Sequence, residues 1–184
     1  MRPILFAAAV VLLPILAHAQ TPAERRAAAD RLLDALKAAP SEAAAAPLES
    51  QIKQLWLNGG TPAVTLLMSR GLREMSAGTN DDAIEDFGAA ITLDPTLAEA
   101  YHQRAIARWH AGDTPGAVAD IEAAIKQDPR HFVALQTLSR IAEAREDWKG
   151  AYAAWQKVLE LDPKSPGGED RLKELKRKAF GEEA

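Results

Sequence analysis

A proline that recurs at a fixed interval is the feature of this chain that most constrains its fold. Pro95, Pro129 and Pro163 lie 34 residues apart, and each of them follows an aspartate. Other residues recur in the same register, among them Ala83, Ala117 and Ala151. A fixed period of this length is typical of stacked-repeat proteins, in which each unit can bury its apolar face only against its neighbours. The sequence therefore predicts a stack of short, similar units.

Within one period, the apolar residues follow helical spacing on both sides of a turn. In the second unit the first run ends near Gly112, because glycine readily adopts the left-handed conformation that closes a helix. Thr114 and Pro115 then favour a new helix, since the hydroxyl can cap a free N–H and proline fits the first helical turn. Pro129 prevents that helix from continuing. Each unit is thus predicted to be a helix–turn–helix pair.

The three units resemble the tetratricopeptide repeat (TPR) family over residues 64–163. The resemblance rests on a large residue, a small residue four positions later, and an alanine followed after four positions by another large residue. Glu146 departs from this pattern, because it stands where the other two units have glycine. The resemblance implies an all-α fold, a right-handed α-solenoid of three helix–turn–helix units at residues 64–97, 98–131 and 132–163.

The residues on either side of the repeats predict further helices. Residues 20–63 have the pattern of an N-terminal helical hairpin that diverges from the repeats, and we expect it to cover the exposed face of the first unit. Residues 164–184 contain one amphipathic helix between 169 and 180, followed by a short tail. We expect this to be a C-terminal capping helix, because a solenoid needs a terminal element with a polar outer face.

Residues 1–19 have the pattern of a signal peptide. A basic start at Arg2 precedes an apolar run from Ile4 to Leu16, and the sequence Ala-His-Ala at 17–19 offers the small residues that a signal peptidase reads. The apolar run is too short to span a bilayer. We expect cleavage after Ala19, a periplasmic protein, and no stable membrane insertion once the signal is removed.

The composition and the motifs restrict the possible chemistry. The chain has no cysteine, which excludes thiol catalysis and cysteine-ligated metals, and its net charge of −4 argues against nucleic-acid binding. Motifs for phosphate loops, serine hydrolases, zinc proteases and EF-hands are absent. His102 and His110 lie two helical turns apart, so a shared metal would require ligands from another helix. We therefore expect no enzyme, no cofactor and no metal site.

Arginine and aspartate occur together in the repeats. Arg70 accompanies Asp86 in the first unit and Arg104 accompanies Asp120 in the second, whereas the third unit has apolar residues at both positions. The arginine belongs to the first helix of its unit and the aspartate to the second. Each pair is therefore predicted to be a structural ion pair that bridges the two helices of its own unit, rather than a ligand site.

In TPR proteins the first helix of each unit lines a concave groove, and the resemblance places a candidate peptide-binding groove here. Its candidate residues are Met68, Leu72, Met75, His102, Gln103, Ile106, Trp109, His110, Gln136 and Arg140. TPR domains that clamp a terminal carboxylate carry several basic or amide residues at these places, whereas this chain has Met68 and Leu72. Trp109 either anchors a partner in the groove or packs between adjacent units.

An apolar groove with methionine and tryptophan suits a helix or an extended peptide. We therefore expect an exported adaptor or scaffold whose groove binds a segment of another envelope protein. The alternative is a ligand-sensing or regulatory subunit that binds a small molecule through His102, His110 and Arg140.

Overall fold

The computed structural model describes residues 22–181, which fold into nine α-helices without a strand. The predicted all-helical fold is confirmed, and the expected signal peptide lies outside the described residues. None of the described helices is both long enough and apolar enough to cross a membrane. The helices are α1 Pro22–Lys37, α2 Glu42–Leu57, α3 Pro62–Ala77, α4 Asn80–Leu93, α5 Ala98–His110, α6 Thr114–Gln127, α7 Phe132–Ala144, α8 Trp148–Leu161 and α9 Gly168–Phe180.

Three helical pairs form the body of the molecule: α3 with α4, α5 with α6, and α7 with α8. The helices of each pair pack on each other, and each pair packs on the next one. The aspartates of the first two Asp-Pro sequences shape the turns between the units. The carboxylate of Asp94 accepts a hydrogen bond from the Thr96 N–H at 3.1 Å, and that of Asp128 accepts one from the Arg130 N–H at 2.9 Å. The recurring Asp-Pro sequence thus lies in the turn that links successive units.

The turn inside each unit requires a residue with positive φ. Gly78 and Gly112 supply it in the first two units, with φ of 81° and 87°. Glu146 takes the same place in the third unit with a φ of 59°, so the departure from the family pattern leaves the backbone conformation unchanged. A residue with a Cβ is strained in this conformation. The third unit therefore keeps the turn at a cost in stability.

Helix α9 occupies the place of a further unit's first helix. Gly168 and Leu175 lie 34 residues after Ala134 and Ile141 of α7, and all four residues are buried. A Cβ on Gly168 would lie 2.6 Å from Cδ2 of Leu159, so a larger residue here would require the Leu159 side chain to move. The Nε1–H of Trp155 donates to the Gly168 carbonyl at 2.8 Å. The capping helix α9 therefore corresponds to the first helix of a fourth unit.

The hairpin of α1 and α2 packs on the third unit and not on the first, contrary to our expectation. Its buried residues Leu36, Ile52 and Trp56 form one core cluster with Phe132, with Leu161 packed against it. The core cluster of the first unit contains no residue of the hairpin. The large apolar side chain of Phe132 at the start of α7 provides the surface that the hairpin covers, and sequence adjacency alone could not indicate this choice.

Polar contacts also hold α1 against the start of the third unit. Arg130 contacts Asp34 at 2.6 Å and Asp30 at 3.4 Å. The guanidinium of Arg26 donates to the Gln127 carbonyl at 3.1 Å. Because these groups are partly or largely exposed, we infer that their contacts orient the hairpin. Burial of its apolar side chains supplies most of the stability of its packing on the repeats.

Candidate binding groove

The candidate groove residues lie on α3, α5 and α7, the first helices of the three units, which neighbour one another. They divide by their exposure. Seven residues are half-buried or exposed, and we call them the accessible strip: Leu72, Met75, Ile106, Trp109, His110, Gln136 and Arg140. The other three candidates, Met68, His102 and Gln103, are buried.

Met68 belongs to the core and not to an open groove. Its side chain is 1% exposed and packs in the cluster that joins the first unit to Ala100 and Ala107 of the second. The position of Met68 on α3 lines the groove in TPR proteins, but it does not expose the residue here. The neighbouring α5 carries small alanines against which a methionine can pack. The assignment of Met68 to the binding surface is corrected accordingly.

His102 and Gln103 lie in a buried polar cluster around Glu99, a residue that we did not single out from the sequence. Oε2 of Glu99 lies 2.8 Å from Nε2 of His131 and 3.4 Å from Nδ1 of His102. The Gln103 amide donates to Oε1 of Glu99 at 2.5 Å. Nε2 of His102 also lies 3.0 Å from the hydroxyl oxygen of Thr137. The cluster thus joins α5 to α7 through hydrogen bonds.

These contacts determine the charge state of the cluster. Burial raises the pKa of Glu99, but the interactions with His102 and then His131 outweigh it and hold that pKa well below its usual range. Burial lowers the pKa of His102, and this outweighs the opposing effect of Glu99. A charged carboxylate therefore lies beside a neutral His102 near neutral pH.

The backbone of α7 fixes the proton on His131. His131 is the N-cap of α7, and its Nδ1 accepts a hydrogen bond from the Ala134 N–H at 3.1 Å. A neutral imidazole that accepts through Nδ1 carries its proton on Nε2. The Nε2–H then donates to the Glu99 carboxylate, so this histidine caps a helix and binds a carboxylate at once.

Glu99, His102 and His131 could also be read as metal ligands, because one ligand atom of each lies within 4.8 Å of the others. Two histidines and a glutamate occur in zinc sites. However, a metal-binding histidine uses an unprotonated nitrogen and donates through its other N–H. His131 has the opposite arrangement, since its Nδ1 accepts from the Ala134 backbone. The geometry therefore fits a structural hydrogen-bond cluster better than a metal centre.

Trp56 of the hairpin covers this cluster. Its ring stacks on His131 with centroids 4.0 Å apart and an interplanar angle of 10°, and it lies 5.5 Å from the Phe132 ring. A pocket of about 440 Å³ remains beside it, bordered by Leu97, Glu99 and residues of α1. The hairpin thus closes over the polar part of the second unit that the sequence assigned to the open groove.

Trp109 lies partly between two units and partly at the surface. Its half-buried ring packs on the apolar cluster that contains Ile121 of the second unit and Ile141 of the third. The ring of the exposed His110 lies 6.3 Å away. Trp109 therefore contributes to the interface between units, and its exposed part belongs to the accessible strip.

The arginine–aspartate pairs bridge the two helices of their own units. Arg104 donates to the two carboxylate oxygens of Asp120 at 2.8 and 2.6 Å, and Arg108 approaches the same carboxylate at 3.0 Å. Arg70 contacts both oxygens of Asp86. Both aspartates are buried, whereas the Arg70 side chain is 56% exposed. Each pair is thus an ion pair between the two helices of one unit.

A stack of helical pairs with an accessible strip on its first helices defines an α-solenoid. The chain matches the family model described as "Tetratricopeptide repeat" over residues 68–131 and 102–166, which together exceed half of its length. The protein belongs to the tetratricopeptide repeat family, whose members are generally interaction modules rather than enzymes.

Several known proteins are similar to this chain. A TPR repeat-containing protein of Rhizobium etli is 26% identical over 152 residues, covering 83% of this chain and 74% of the relative. The TPR domain of Sgt2 from Aspergillus fumigatus is 28% identical with a TM-score of 0.59, covering 65% of this chain and 81% of that one.

Two further solved structures share the fold. MamA is 18% identical with a TM-score of 0.60 and covers 90% of this chain and 88% of its own. The first TPR of Spaghetti (RPAP3), solved with a bound HSP90 peptide, is 19% identical with a TM-score of 0.59 and covers 64% of this chain and 94% of its own.

Proposed function

We propose that this protein is an exported adaptor that binds a segment of another envelope protein through the accessible strip. The observation that carries the proposal is the strip itself, where apolar side chains such as Leu72, Ile106 and Trp109 remain partly exposed on neighbouring helices. A related fold, the TPR of RPAP3, holds a peptide of HSP90. An apolar strip with one arginine, Arg140, suits an amphipathic or extended segment that carries a carboxylate.

Binding would proceed by reversible docking on a preformed surface. The core shared by the second and third units fixes α5 relative to α7, and the Arg104–Asp120 bridge fixes α5 on α6, so little ordering entropy is lost on binding. The hairpin restricts the site, because Trp56 covers the part of the second unit around His102. We therefore infer that the partner contacts Leu72, Ile106 and Arg140 rather than His102.

The test is affinity capture from a periplasmic extract with the wild-type protein and the variant Ile106→Asp. A charge in the strip would be buried by the partner, so we expect loss of a defined envelope protein from the captured set. Leu93→Asp is the matched control, since Leu93 is 58% exposed at the end of α4, outside the strip. Equal capture by all three proteins would contradict the assignment.

Export is tested on the product from the native host. We expect its N-terminus at Gln20 or within a residue or two of it, and accumulation of unprocessed chain when Ala19 is replaced by arginine, because a signal peptidase requires a small residue there. An intact Met1 on a cytoplasmic protein would refute export.

A small-molecule sensor is the second candidate, and the pocket beneath the hairpin favours it. Its volume of about 440 Å³ lies in the range of ligand sites, and Trp56 offers an aromatic wall beside the carboxylate of Glu99. Thermal-shift screening with metabolites separates the candidates. A stabilising metabolite whose effect is lost in Trp56→Ala but kept in Ile106→Asp would favour the sensor.

A further inference from the structure

One face of the first helix in each unit is buried everywhere except in the first unit. Residues Ala100 of α5, Ala134 of α7 and Gly168 of α9 occupy one position of the period, and all three are buried. The corresponding residue of α3 is Leu66, which is 66% exposed. Leu66 is thus an apolar side chain exposed to solvent at a position that is buried in α5, α7 and α9.

A second position of the period shows the same contrast. Ala107, Ile141 and Leu175 are buried at this position of α5, α7 and α9. The corresponding residue of α3 is Arg73, which is exposed. It lies seven residues after Leu66, two helical turns along the same face. Arg73 has no ion-pair partner within residues 22–181, so this face carries one apolar and one unpaired basic group.

The difference follows from what packs on each helix. Helix α5 packs on α4, α7 on α6 and α9 on α8, so each has the second helix of a preceding unit against this face. Helix α3 follows the hairpin in sequence, but the apolar residues of the hairpin pack on Phe132 and Leu161 of the third unit, and only its edge comes near α3. Among residues 22–181, no helix packs on this face of α3 as one does on its counterparts.

The internal interfaces show what kind of helix fits there. Ile84 and Ile91 of α4 lie seven residues apart and share one apolar cluster with Ala100 and Ala107 of α5. The short turn between α4 and α5 makes the two helices antiparallel. On α3 the larger Leu66 favours a smaller opposing residue, and the positive charge of Arg73 favours an opposing carboxylate.

We propose that the outer face of α3, defined by Leu66 and Arg73, docks an amphipathic helix of another protein. That helix runs antiparallel to α3, carries an acidic residue against Arg73, and carries a small apolar residue about seven positions later against Leu66. An open depression of about 580 Å³ lies beside this contact, bordered by Thr65 and Leu66 of α3 and, on the side of the hairpin, by Arg25 and Asn58. This surface is separate from the accessible strip.

Another protein fits this face better than a second copy of this chain does. The second helices of the described units are already covered, since α4, α6 and α8 each pack under the helix that follows. Two α3 faces that meet antiparallel about a twofold axis would place Arg73 of each copy against the apolar Leu66 of the other. Such a contact offers neither arginine a carboxylate, and charge complementarity is therefore poorer than with an acidic helix.

The probe for this site is a helix-stabilised peptide with the sequence of α4, residues 80–93, in which Ile84→Glu faces Arg73 and Ile91→Ala faces Leu66. The matched control peptide has Ile84→Lys instead. Circular dichroism first establishes that both peptides are helical. Each is then titrated into the isotope-labelled protein, and NMR shift mapping locates the contact.

We expect the glutamate peptide to shift the amides of α3 around Leu66 and Arg73, and to bind about fivefold more tightly than the lysine peptide, as one exposed ion pair allows. Arg73→Glu should reverse this preference, and Leu66→Asp should abolish binding. Leu93→Asp, at an exposed apolar residue outside this face, should change nothing.

Three results would overturn the proposal. The first is absence of binding by the helical glutamate peptide at millimolar concentration. The second is shifts confined to the accessible strip around Ile106. The third is a wild-type dimer, detected by analytical ultracentrifugation at micromolar concentration, that Leu66→Asp dissociates, because that result would assign the face to self-association.

Discussion

At the scale of single residues, Glu146 shows how a repeat tolerates a departure from its pattern. It is exposed and has a φ of 59°, where Gly78 and Gly112 stand in the other units. Glycine removes the Cβ strain of this conformation but loses more entropy on folding. We expect Glu146→Gly to raise the free energy of unfolding by about 0.5 kcal/mol. Chemical denaturation measures the change, and Gly112→Ala is the opposite control, expected to destabilise by about 1 kcal/mol. A less stable Glu146→Gly protein would contradict this account.

Glu99 illustrates a residue whose charge is required by its surroundings. It is buried and accepts hydrogen bonds from His131 and Gln103. Glu99→Ala leaves these donors without their acceptor, so we expect a loss of about 3 kcal/mol at pH 7. His131→Asn retains a capping side chain and should lose less.

The pH dependence at Glu99 has a definite sign. Its pKa is lower in the folded protein than in the unfolded chain, so the stability it contributes is present above the unfolded value and is lost as the pH falls. The destabilisation by Glu99→Gln should therefore shrink as the pH is lowered from 5 towards 3. A difference that stays constant over this range would show that the carboxylate is not held charged.

At the scale of helices, the Arg104–Asp120 bridge fastens α5 to α6. Asp120 is buried and also accepts from Arg108 at 3.0 Å. Removing it leaves uncompensated arginine charges, so Asp120→Ala should cost about 3 kcal/mol. Asp86→Ala, whose partner Arg70 is more than half exposed, should cost less. Urea unfolding of both variants compares them, and equal costs would contradict the role of burial.

The hairpin meets α8 at a pair of carboxylates. Asp162 is buried, and burial and then the charge of Glu49 raise its pKa to about 6, against the opposing effects of the Lys164 backbone and of Lys53. A raised folded pKa stabilises the docked state most below the unfolded value, and that contribution is lost as the pH rises through about 6.

We therefore expect the amides of α1 and α2 to exchange with solvent more readily at pH 7.5 than at pH 5, after correction for intrinsic exchange rates. Asp162→Asn should remove most of this difference and stabilise the docked hairpin at pH 7.5 by about 1 kcal/mol. Hydrogen exchange with mass spectrometry resolves the hairpin from the repeats. An unchanged pH dependence in Asp162→Asn would assign it to other groups.

The helices were predictable because their signals are local. Helix α6 begins at Thr114, where the sequence predicts a helix start, although Asp113 and not Thr114 provides the cap, by accepting from the Gly116 N–H. Asp94 and Asp128 shape the turns that their prolines marked. The register of α9 was also visible in the sequence, since Leu175 lies 34 residues after Ile141, although we read it only as a cap. Helix assignment thus required little beyond spacing and capping residues.

The packing of the hairpin and the polar cluster was not predictable in this way. Trp56 and His131 lie far apart in sequence, and their stacking depends on how the hairpin folds back over the repeats. Burial of Glu99 follows from the same closure. Periodicity identifies which residues face a neighbour, but it does not indicate which neighbour is present when an element leaves the repeat register.

At the scale of the whole molecule, the arrangement divides the first helices into covered and open parts. The hairpin covers the third unit and the cluster around Glu99, α9 covers α8, and within residues 22–181 the accessible strip and the face of α3 remain open. The proposed adaptor function and the proposed helix docking use these two surfaces.

The most direct test of the central claim is photo-crosslinking in the cells that make the protein. A photoreactive amino acid replaces Leu72, Ile106 or Arg140, one on each first helix, or Leu93 as the exposed control. We predict that the three strip positions yield the same covalent adduct with one envelope protein, and that position 93 does not. Adducts absent from all three strip positions, or equal from position 93, would contradict binding through the accessible strip.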